Sequence, residues 1–195
     1  MRRTAITALI AVVGFTLVFG LAYPLAMTAI SQLAFPGKAN GSKITVGGRL
    51  VGSKLIAQGF KGKGYFHPRP SQSEYAANTT YFSNLGPNSV EARESVRDNL
   101  AGYLKLNKPY DRSLSREGVP VDAITTSGSG VDPEISEANA LIQAHRVAAV
   151  RKLPLSGVEE LISDYTSGRF LGIFGEPGVN VLQLNLALDE KASLR

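Results

Sequence analysis

The stretch that decides the architecture is TAITALIAVVGFTLVFGLAYPLAMTAISQL, residues 4–33, which lies in a segment without charge between Arg3 and Lys38. A helix of about 20 apolar residues crosses the roughly 30 Å hydrocarbon core of a bilayer. The stretch therefore predicts one transmembrane helix. A cleaved secretory signal is the alternative, but the apolar part of a signal is usually about 7–15 residues long. We expect an uncleaved anchor.

The charges on either side of this helix bear on its orientation. Only Arg2 and Arg3 precede it, and a short tail with two arginines favours the cytoplasmic side, whereas a long following domain translocates largely regardless of its charge. We therefore predict two parts. Residues 1–37 form a cytoplasmic tail and a single-pass anchor in the cell inner (plasma) membrane, and residues 38–195 form one extracytoplasmic domain.

Three residues of the anchor predict a contact with another helix. Thr16 and Gly20 are four positions apart, a small-xxx-small spacing that allows close helix approach. Pro24 is tolerated in a membrane helix, where it can bend the axis. We therefore predict Thr16, Gly20 and Pro24 as helix-packing residues.

Composition limits the chemistry of the domain. The chain has no cysteine, which excludes thiol catalysis, haem attachment and cysteine-based metal sites, and its two histidines, His67 and His145, belong to no metal motif. A net charge of +5 could suggest nucleic acid, but no recognised binding module is present. Anionic membrane lipid is the expected partner of the basic residues, and we predict no nucleic-acid partner and no metal site.

The patterns after residue 38 predict a mixed α+β domain that begins with a hairpin. Ile44–Val46 and Arg49–Val51 flank Gly47 and Gly48, a pairing typical of a tight turn between two strands. Residues 59–87 are rich in Gly, Pro, Ser and Asn and predict a long ordered or functional loop.

Helices and a last strand follow this loop. We predict helices that begin at Asn88 with Glu91, at Ser136, and at Ser156 with Glu159. The first has Val96, Leu100, Tyr103 and Leu104 along one face, and the second has Leu141, Ile142, His145 and Ala149. Leucines at 182, 184, 186 and 188 alternate with other residues, which predicts a half-buried strand.

The segment TTSGSGVDP, residues 125–133, is the most unusual local sequence. Backbone amides of Ser127, Gly128, Ser129 and Gly130 could cradle a phosphate or another anion, although the segment is not a Walker A loop. A tight turn that leads into the Ser136 helix is the simpler alternative, and the residues themselves favour it.

A hydrolase is a second alternative for this region. Ser127 or Ser129 could act with His145 and with an acid, either Asp122 or Asp132. Both serines lack the surroundings of a nucleophile elbow, which argues against this assignment.

Six strings in order resemble the C subunit of the Kdp potassium-transporting P-type ATPase, the KdpC family. They are GSKLIAQGF from Gly52, YFHPRPS from Tyr65, SNLGP from Ser83, VPVDAITTSGSGVDPEIS from Val119, RVAAVRKL from Arg146 and GEPGVNVLQLNLALD from Gly175. The chain departs from the family pattern at Thr126, Val131 and Glu134, where Ala, Leu and His are expected. Glu134 would disfavour an anionic phosphate nearby.

The resemblance implies an accessory subunit of a high-affinity potassium uptake complex that has no catalytic residues of its own. Its partners would be a channel-like potassium-translocating subunit, a P-type ATP-hydrolysing subunit and a small membrane peptide. The family is described as a chaperone that raises the ATP affinity of the hydrolysing subunit, with Ser127, Gly128, Ser129 and Gly130 as the implied ATP contact. An extracytoplasmic domain cannot reach cytoplasmic ATP, so its effect would be allosteric. An exported hydrolase and an unrelated anchored binding domain remain alternatives.

Overall fold

The structure, a computed structural model, describes residues 2–78 and 83–193, without the side chains of residues 192 and 193. Residue 1 of the predicted tail, residues 79–82 of the predicted long loop and residues 194–195 of the predicted domain lie outside the described residues. The chain divides into two compact units, residues 1–51 and 52–195. The predicted division at residues 37 and 38 concerns the side of the membrane on which each part lies, and it stays a prediction.

The first unit is dominated by one apolar helix. It consists of helix α1 (Arg2–Phe15), a π-helical segment (Thr16–Ala22) and helix α2 (Tyr23–Ala34). The combined helix covers residues 2–34, and none of its residues is buried. Within the described residues it is the one helix long and apolar enough to span a membrane. The predicted apolar helix is confirmed.

The π-helical segment lies just before Pro24. Proline has no N–H and its ring clashes with the preceding turn, so the helix must adjust on the N-terminal side of that residue. Here the Tyr23 N–H bonds to the Val18 carbonyl, one residue farther back than in an α-helix. Thr28 Oγ1 donates to the Pro24 carbonyl at 2.8 Å. The segment contains both Thr16 and Gly20.

A short helical turn and a hairpin complete this part of the chain. Helix α3 (Pro36–Ala39), which the sequence did not predict, precedes strands β1 (Lys43–Val46) and β2 (Arg49–Ser53). The two strands pair with each other. Gly47 and Gly48 have φ of 56° and 79°, as a type I′ turn requires. The predicted hairpin is confirmed.

Helix α4 (Val90–Asn107) opens the helical part of the second unit. Its cap is Ser89, whose Oγ accepts the Ala92 N–H at 3.0 Å, so the predicted Asn88 cap is wrong by one residue. The Asn88 carbonyl instead accepts a hydrogen bond from Arg93 Nη2 at 3.2 Å. The predicted inner face is confirmed for its last three members, which pack against a small cluster of Leu114, Val119 and Ala123; those members are Leu100, Tyr103 and Leu104.

Helix α5 (Glu137–Arg151) begins and ends as predicted. Ser136 Oγ accepts the Asn139 N–H at 3.1 Å, and Lys152 ends the helix with a φ of 57°. The predicted apolar stripe is wrong for Leu141 and Ala149, which are exposed, whereas Ile142 is half-buried and packs against the small cluster. The buried residues of α5 are Asn139, Ala140, Gln143, Ala144, Arg146, Val147 and Ala148. Polar side chains occupy this inner face, so hydropathy alone assigned the face incorrectly.

The next helix begins earlier than predicted. Helix α6 (Leu155–Asp164) follows Pro154 directly, so Ser156 lies inside its first turn and the predicted Ser156–Glu159 capping box is wrong. The ring of Pro154 fixes φ near the value that the start of a helix needs, and no side-chain cap is required.

The predicted C-terminal strand is wrong, because residues 181–193 form helix α7 (Val181–Ser193). Val181, Leu184, Asn185 and Leu188 are buried, which is the spacing of a helical face. Leu182 is also buried and Leu186 is half-buried. Helix α7 is packed on more than one side, so it needs apolar residues beyond a single stripe. Its leucines therefore fall at every second position, which imitates the alternation of a strand.

The β-structure of the second unit is small. Strands β3 (Glu134–Ile135), β4 (Thr166–Ser167) and β5 (Gly178–Asn180) form an antiparallel sheet in the order β3-β5-β4. Val179 lies opposite both Ile135 and Thr166. The main core is apolar and combines α5, α6 and α7 with this sheet and with Phe66 of the long loop. The predicted mixed α/β composition is confirmed.

A fully buried arginine connects this core to the long loop. Arg146 Nε donates to Asn107 Oδ1 and Nη2 donates to Gln143 Oε1, both at 2.9 Å. Its Nη1 donates to the carbonyls of Lys63 and Tyr65. Burial lowers the pKa of Arg146 to about 10, so the group is still charged at neutral pH. No carboxylate takes part in these four bonds, and neutral oxygens alone solvate the charge.

Two amide side chains hold the next residues of the same loop. Asn185 Oδ1 accepts the Phe66 N–H at 2.8 Å, and its Nδ2 donates to the Phe66 carbonyl at 2.9 Å. Gln143 pairs with the N–H and the carbonyl of His67 in the same way, at 2.8 and 3.0 Å. Side chains of α5 and α7 thus satisfy a buried backbone that belongs to no sheet.

We expect Arg146→Met to lower the free energy of unfolding by at least about 3 kcal/mol, because each buried acceptor left without a donor costs about 1–3 kcal/mol. Methionine fills much of the volume but donates no hydrogen bond. Thermal and denaturant unfolding of the detergent-solubilised chain would measure the change. Arg97→Met is the matched control, since Arg97 is an exposed arginine paired with Asp98. Equal stability of the two variants would contradict this prediction.

Candidate functional site

The predicted anion site, residues 127–130, forms a tight turn between the 3-10 helix Val121–Ala123 and strand β3. We call it the Ser-Gly turn. The Ser127 N–H donates to the Pro70 carbonyl at 3.2 Å, and the Gly130 N–H donates to the Ser127 carbonyl at 3.3 Å. Ser129 Oγ accepts the Val131 N–H at 3.2 Å. Three amides in and beside the turn therefore already bond within the protein.

The long loop packs around the Ser-Gly turn and bonds to it. Ser71 and Ser73 both donate their hydroxyls to the Gly130 carbonyl, at 2.5 and 3.4 Å. The Tyr75 hydroxyl donates to the Arg69 carbonyl at 2.9 Å, and burial raises the pKa of this phenol. Ser127 and Gly130 are buried, whereas Gly128 is exposed.

Arg69 brings a positive charge to the turn from a distant part of the chain. Its Nη1 pairs with Asp132 Oδ2 at 3.1 Å, and its Nη2 donates to the Thr126 carbonyl at 3.3 Å and lies 3.5 Å from Thr125 Oγ1. Local sequence reasoning missed this residue because no lysine or arginine lies between Arg116 and Arg146. Asp132 accompanies the cation, so the pair has no net charge.

Asp122 and Asp132, the two acids considered for a hydrolase, form hydrogen bonds or an ion pair with other groups. Asp122 accepts the Ser136 hydroxyl at 2.7 Å, the Ser136 N–H at 2.9 Å and the Asn139 amide at 2.9 Å, which anchors the start of α5. Asp132 pairs with Arg69. Among the contacts described for residues 2–78 and 83–193, none joins His145 to Ser127 or Ser129. The structure therefore does not assemble the nominated residues into a triad.

The other histidine lies in the buried part of the long loop. Burial lowers the pKa of His67, the nearby Arg146 charge lowers it further, and a hydrogen bond to the Gly62 carbonyl opposes both. His67 is therefore neutral at pH 7, and its Nε2 lies 3.0 Å from Gly62 O, where a neutral ring donates. Groups of three or more potential metal ligands do not occur among the described residues.

Comparison with known proteins shows the family of the chain. Residues 5–190 match the family model described as KdpC: K+-transporting ATPase, c chain. The chain belongs to this family. It is 48% identical over 196 residues to the potassium-transporting ATPase KdpC subunit of Rhodospirillum rubrum, an alignment that covers 100% of this chain and 99% of that protein.

Two further relatives have the same name. The potassium-transporting ATPase KdpC subunit of Mycobacterium tuberculosis is 46% identical over 191 residues, covering 97% of this chain and 99% of the relative. The one from Paraburkholderia phytofirmans is 49% identical over 178 residues, or 90% of each chain. The resemblance to the KdpC family is confirmed.

In this KdpC-family chain the predicted site residues fall into two groups. Ser127, Gly128, Ser129 and Gly130 form the Ser-Gly turn, and Thr16, Gly20 and Pro24 lie in and just after the π-helical segment. Sequence reasoning missed the polar residues that organise the domain. What could have indicated them is that they are polar or charged residues within the strings that resemble the family. They are Arg69 and Ser71 in YFHPRPS, Arg146 in RVAAVRKL, and Asn185 in the last string.

We expect Gly130→Val to lower the free energy of unfolding by about 1–3 kcal/mol, because Gly130 has a φ of 73° and a β-branched residue is strained there. Gly128→Val is the matched control. Gly128 is not among the residues with positive φ, and an added Cβ meets nothing within 4 Å. We expect it to change stability by less than about 0.5 kcal/mol. A larger loss at Gly128 than at Gly130, measured by chemical denaturation, would contradict this assignment of strain.

Proposed function

We propose that the chain is a non-catalytic accessory subunit of a potassium-transporting P-type ATPase complex of the cell inner membrane. The observation that carries the proposal is the similarity over the full length to proteins named potassium-transporting ATPase KdpC subunit. The subunit assembles and stabilises its partners, which are a channel-like potassium-translocating subunit, an ATP-hydrolysing subunit and a small membrane peptide.

The architecture supports an assembly role. The anchor is one helix with no charged residue between Arg3 and Lys38, whereas groups that move ions across a bilayer are usually charged or polar and lie within a bundle. The π-helical segment and Gly20 give this helix an irregular region at which a neighbouring helix can approach closely. We infer that this region contacts a partner subunit.

We further propose that the Ser-Gly turn is structural and does not bind ATP. Three amides in and beside it are already bonded, Asp132 neutralises Arg69, and Asp122 and Glu134 add negative charge to the same part of the chain. A ligand that binds only the folded state raises its melting temperature. In thermal unfolding of the parent and the two glycine variants, added ATP should therefore leave the melting temperature of each unchanged. A rise that is lost in Gly128→Val would restore the ATP contact.

The proposed subunit influences ATP use indirectly. If the second unit lies outside the cytoplasm, it can raise the ATP affinity of the hydrolysing subunit only by favouring one conformation of the whole complex. The chaperone role described for the family then corresponds to a coupling free energy between subunits.

We expect Gly20→Leu to reduce the yield of partner subunits that copurify with the chain, because a bulky side chain prevents close helix approach. Potassium uptake by cells that depend on this complex should fall in proportion. Gly14→Leu is the matched control, since Gly14 lies in α1, outside the π-helical segment, and neither glycine is buried.

Copurification and uptake together decide this prediction. If Gly20→Leu and Gly14→Leu give the same normal yield, the π-helical segment faces lipid and the proposed contact is wrong. If the chain copurifies with no transport subunit at all, the proposed function fails.

We expect the second unit to lie outside the cytoplasm. The chain has no cysteine, so one introduced thiol is the only site in this chain that a membrane-impermeant maleimide labels. Glu117 is exposed, and Glu117→Cys should react in intact spheroplasts. Thr4→Cys, near the N-terminus, should react only after lysis. The reverse pattern would overturn the orientation.

A further inference from the structure

An apolar loop projects from the second unit beyond the sheet. Residues 167–177 are all exposed, and four of them are large hydrophobic side chains. Phe170 is 71% exposed, Leu171 74%, Ile173 73% and Phe174 62%. We call residues 170–174 the apolar tip. Single exposed hydrophobic residues are common, but a contiguous group of this size marks a surface that contacts a protein or a membrane.

The backbone of the tip makes its hydrogen bonds internally. Phe170 N–H bonds to the Phe174 carbonyl at 2.8 Å, and Phe174 N–H returns to the Phe170 carbonyl at 2.9 Å. Gly172 and Ile173 donate to the carbonyls of Arg169 and Phe170. Four of the five N–H groups of residues 170–174 therefore bond within the tip and its base. This lowers the cost of moving the tip toward hydrocarbon, which offers no hydrogen-bond partner.

The base of the tip is polar. Arg169 Nη2 binds both carboxylate oxygens of Glu176, at 3.0 and 2.7 Å. This exposed ion pair lies at the base of the tip, on either side of the apolar residues in the sequence. Leu171 and Gly172, with φ of 54° and 75°, turn the chain tightly at the end of the tip.

A lipid surface fits this tip better than a protein surface does. Each partner in a standard protein interface contributes roughly 20–30 residues with several hydrogen bonds, whereas the tip offers four side chains that have no polar groups. Binding to a bilayer scales with buried apolar area and attraction to anionic lipid, and it requires no matching hydrogen-bond partners. The chain also contains its own membrane-spanning candidate, residues 2–34, so a bilayer is present at high effective concentration.

We propose that the apolar tip inserts into the surface of the membrane in which the chain is anchored. Phe170, Leu171, Ile173 and Phe174 enter the headgroup and upper acyl region, and the Arg169–Glu176 pair stays in water. The tip forms a second attachment point that restricts the orientation of the domain. This inference rests on the apolar helix and the tip and does not require the proposed potassium-transport role.

The chain has no tryptophan, so a single introduced tryptophan reports on one position. We would reconstitute full-length Ile173→Trp into vesicles of phosphatidylcholine and phosphatidylglycerol and measure emission and quenching by brominated lipid. Val121→Trp is the matched control, since Val121 is 71% exposed and lies outside the tip. Phe170→Trp repeats the measurement at a second tip position if Ile173→Trp is unstable.

We expect the tip tryptophan to emit at shorter wavelength than the control, to be quenched by brominated lipid, and to resist acrylamide. Insertion is overturned if both tip positions stay accessible to acrylamide and are not quenched by brominated lipid. Protection that occurs only when other subunits are present would also overturn it and would identify the tip as a protein contact. Because these vesicles hold the chain alone, failure of the subunit proposal would leave a positive quenching result intact.

Discussion

The second unit depends on the solvation of one buried cation, Arg146. An isolated charge is very costly to bury, and this guanidinium is stabilised by four neutral oxygens rather than by a carboxylate. Those oxygens come from the loop at Lys63 and Tyr65, from Asn107 at the end of α4, and from Gln143 one turn earlier on α5. The arginine is satisfied only when all three parts of the chain are in place, so it couples their folding.

The strings that carry the family resemblance are largely those that bind one another. Tyr65 stacks with the Arg151 guanidinium, whose carbon lies 4.5 Å from the ring centroid, and Arg151 pairs with Asp189 at 2.8 Å. Asn185 holds Phe66 from the same helix as Asp189. Polar contacts between distant segments therefore join several of these strings, and they turn a long loop without regular structure into part of the core.

The two surfaces for which we propose contacts lie outside that core. The π-helical segment is in the apolar helix, and the apolar tip projects from a domain whose interior is well satisfied. Both expose apolar groups within the described part of the chain, as expected of a protein whose surroundings are lipid and other subunits. The Ser-Gly turn, in contrast, is bonded into the domain through Pro70, Ser71 and Arg69, which favours a structural role.

Local sequence determined the features whose causes are local. The apolar helix follows from composition, the hairpin from Gly47 and Gly48, and the start of α5 from Ser136, because each depends on neighbours along the chain. Tertiary structure decided the rest. Helix α7 was misassigned because packing on several sides buries residues beyond one helical stripe, and the inner face of α5 was missed because Gln143 and Arg146 are polar. Arg69 reaches the Ser-Gly turn only through folding, since a contact between residues this far apart leaves no periodicity in the sequence.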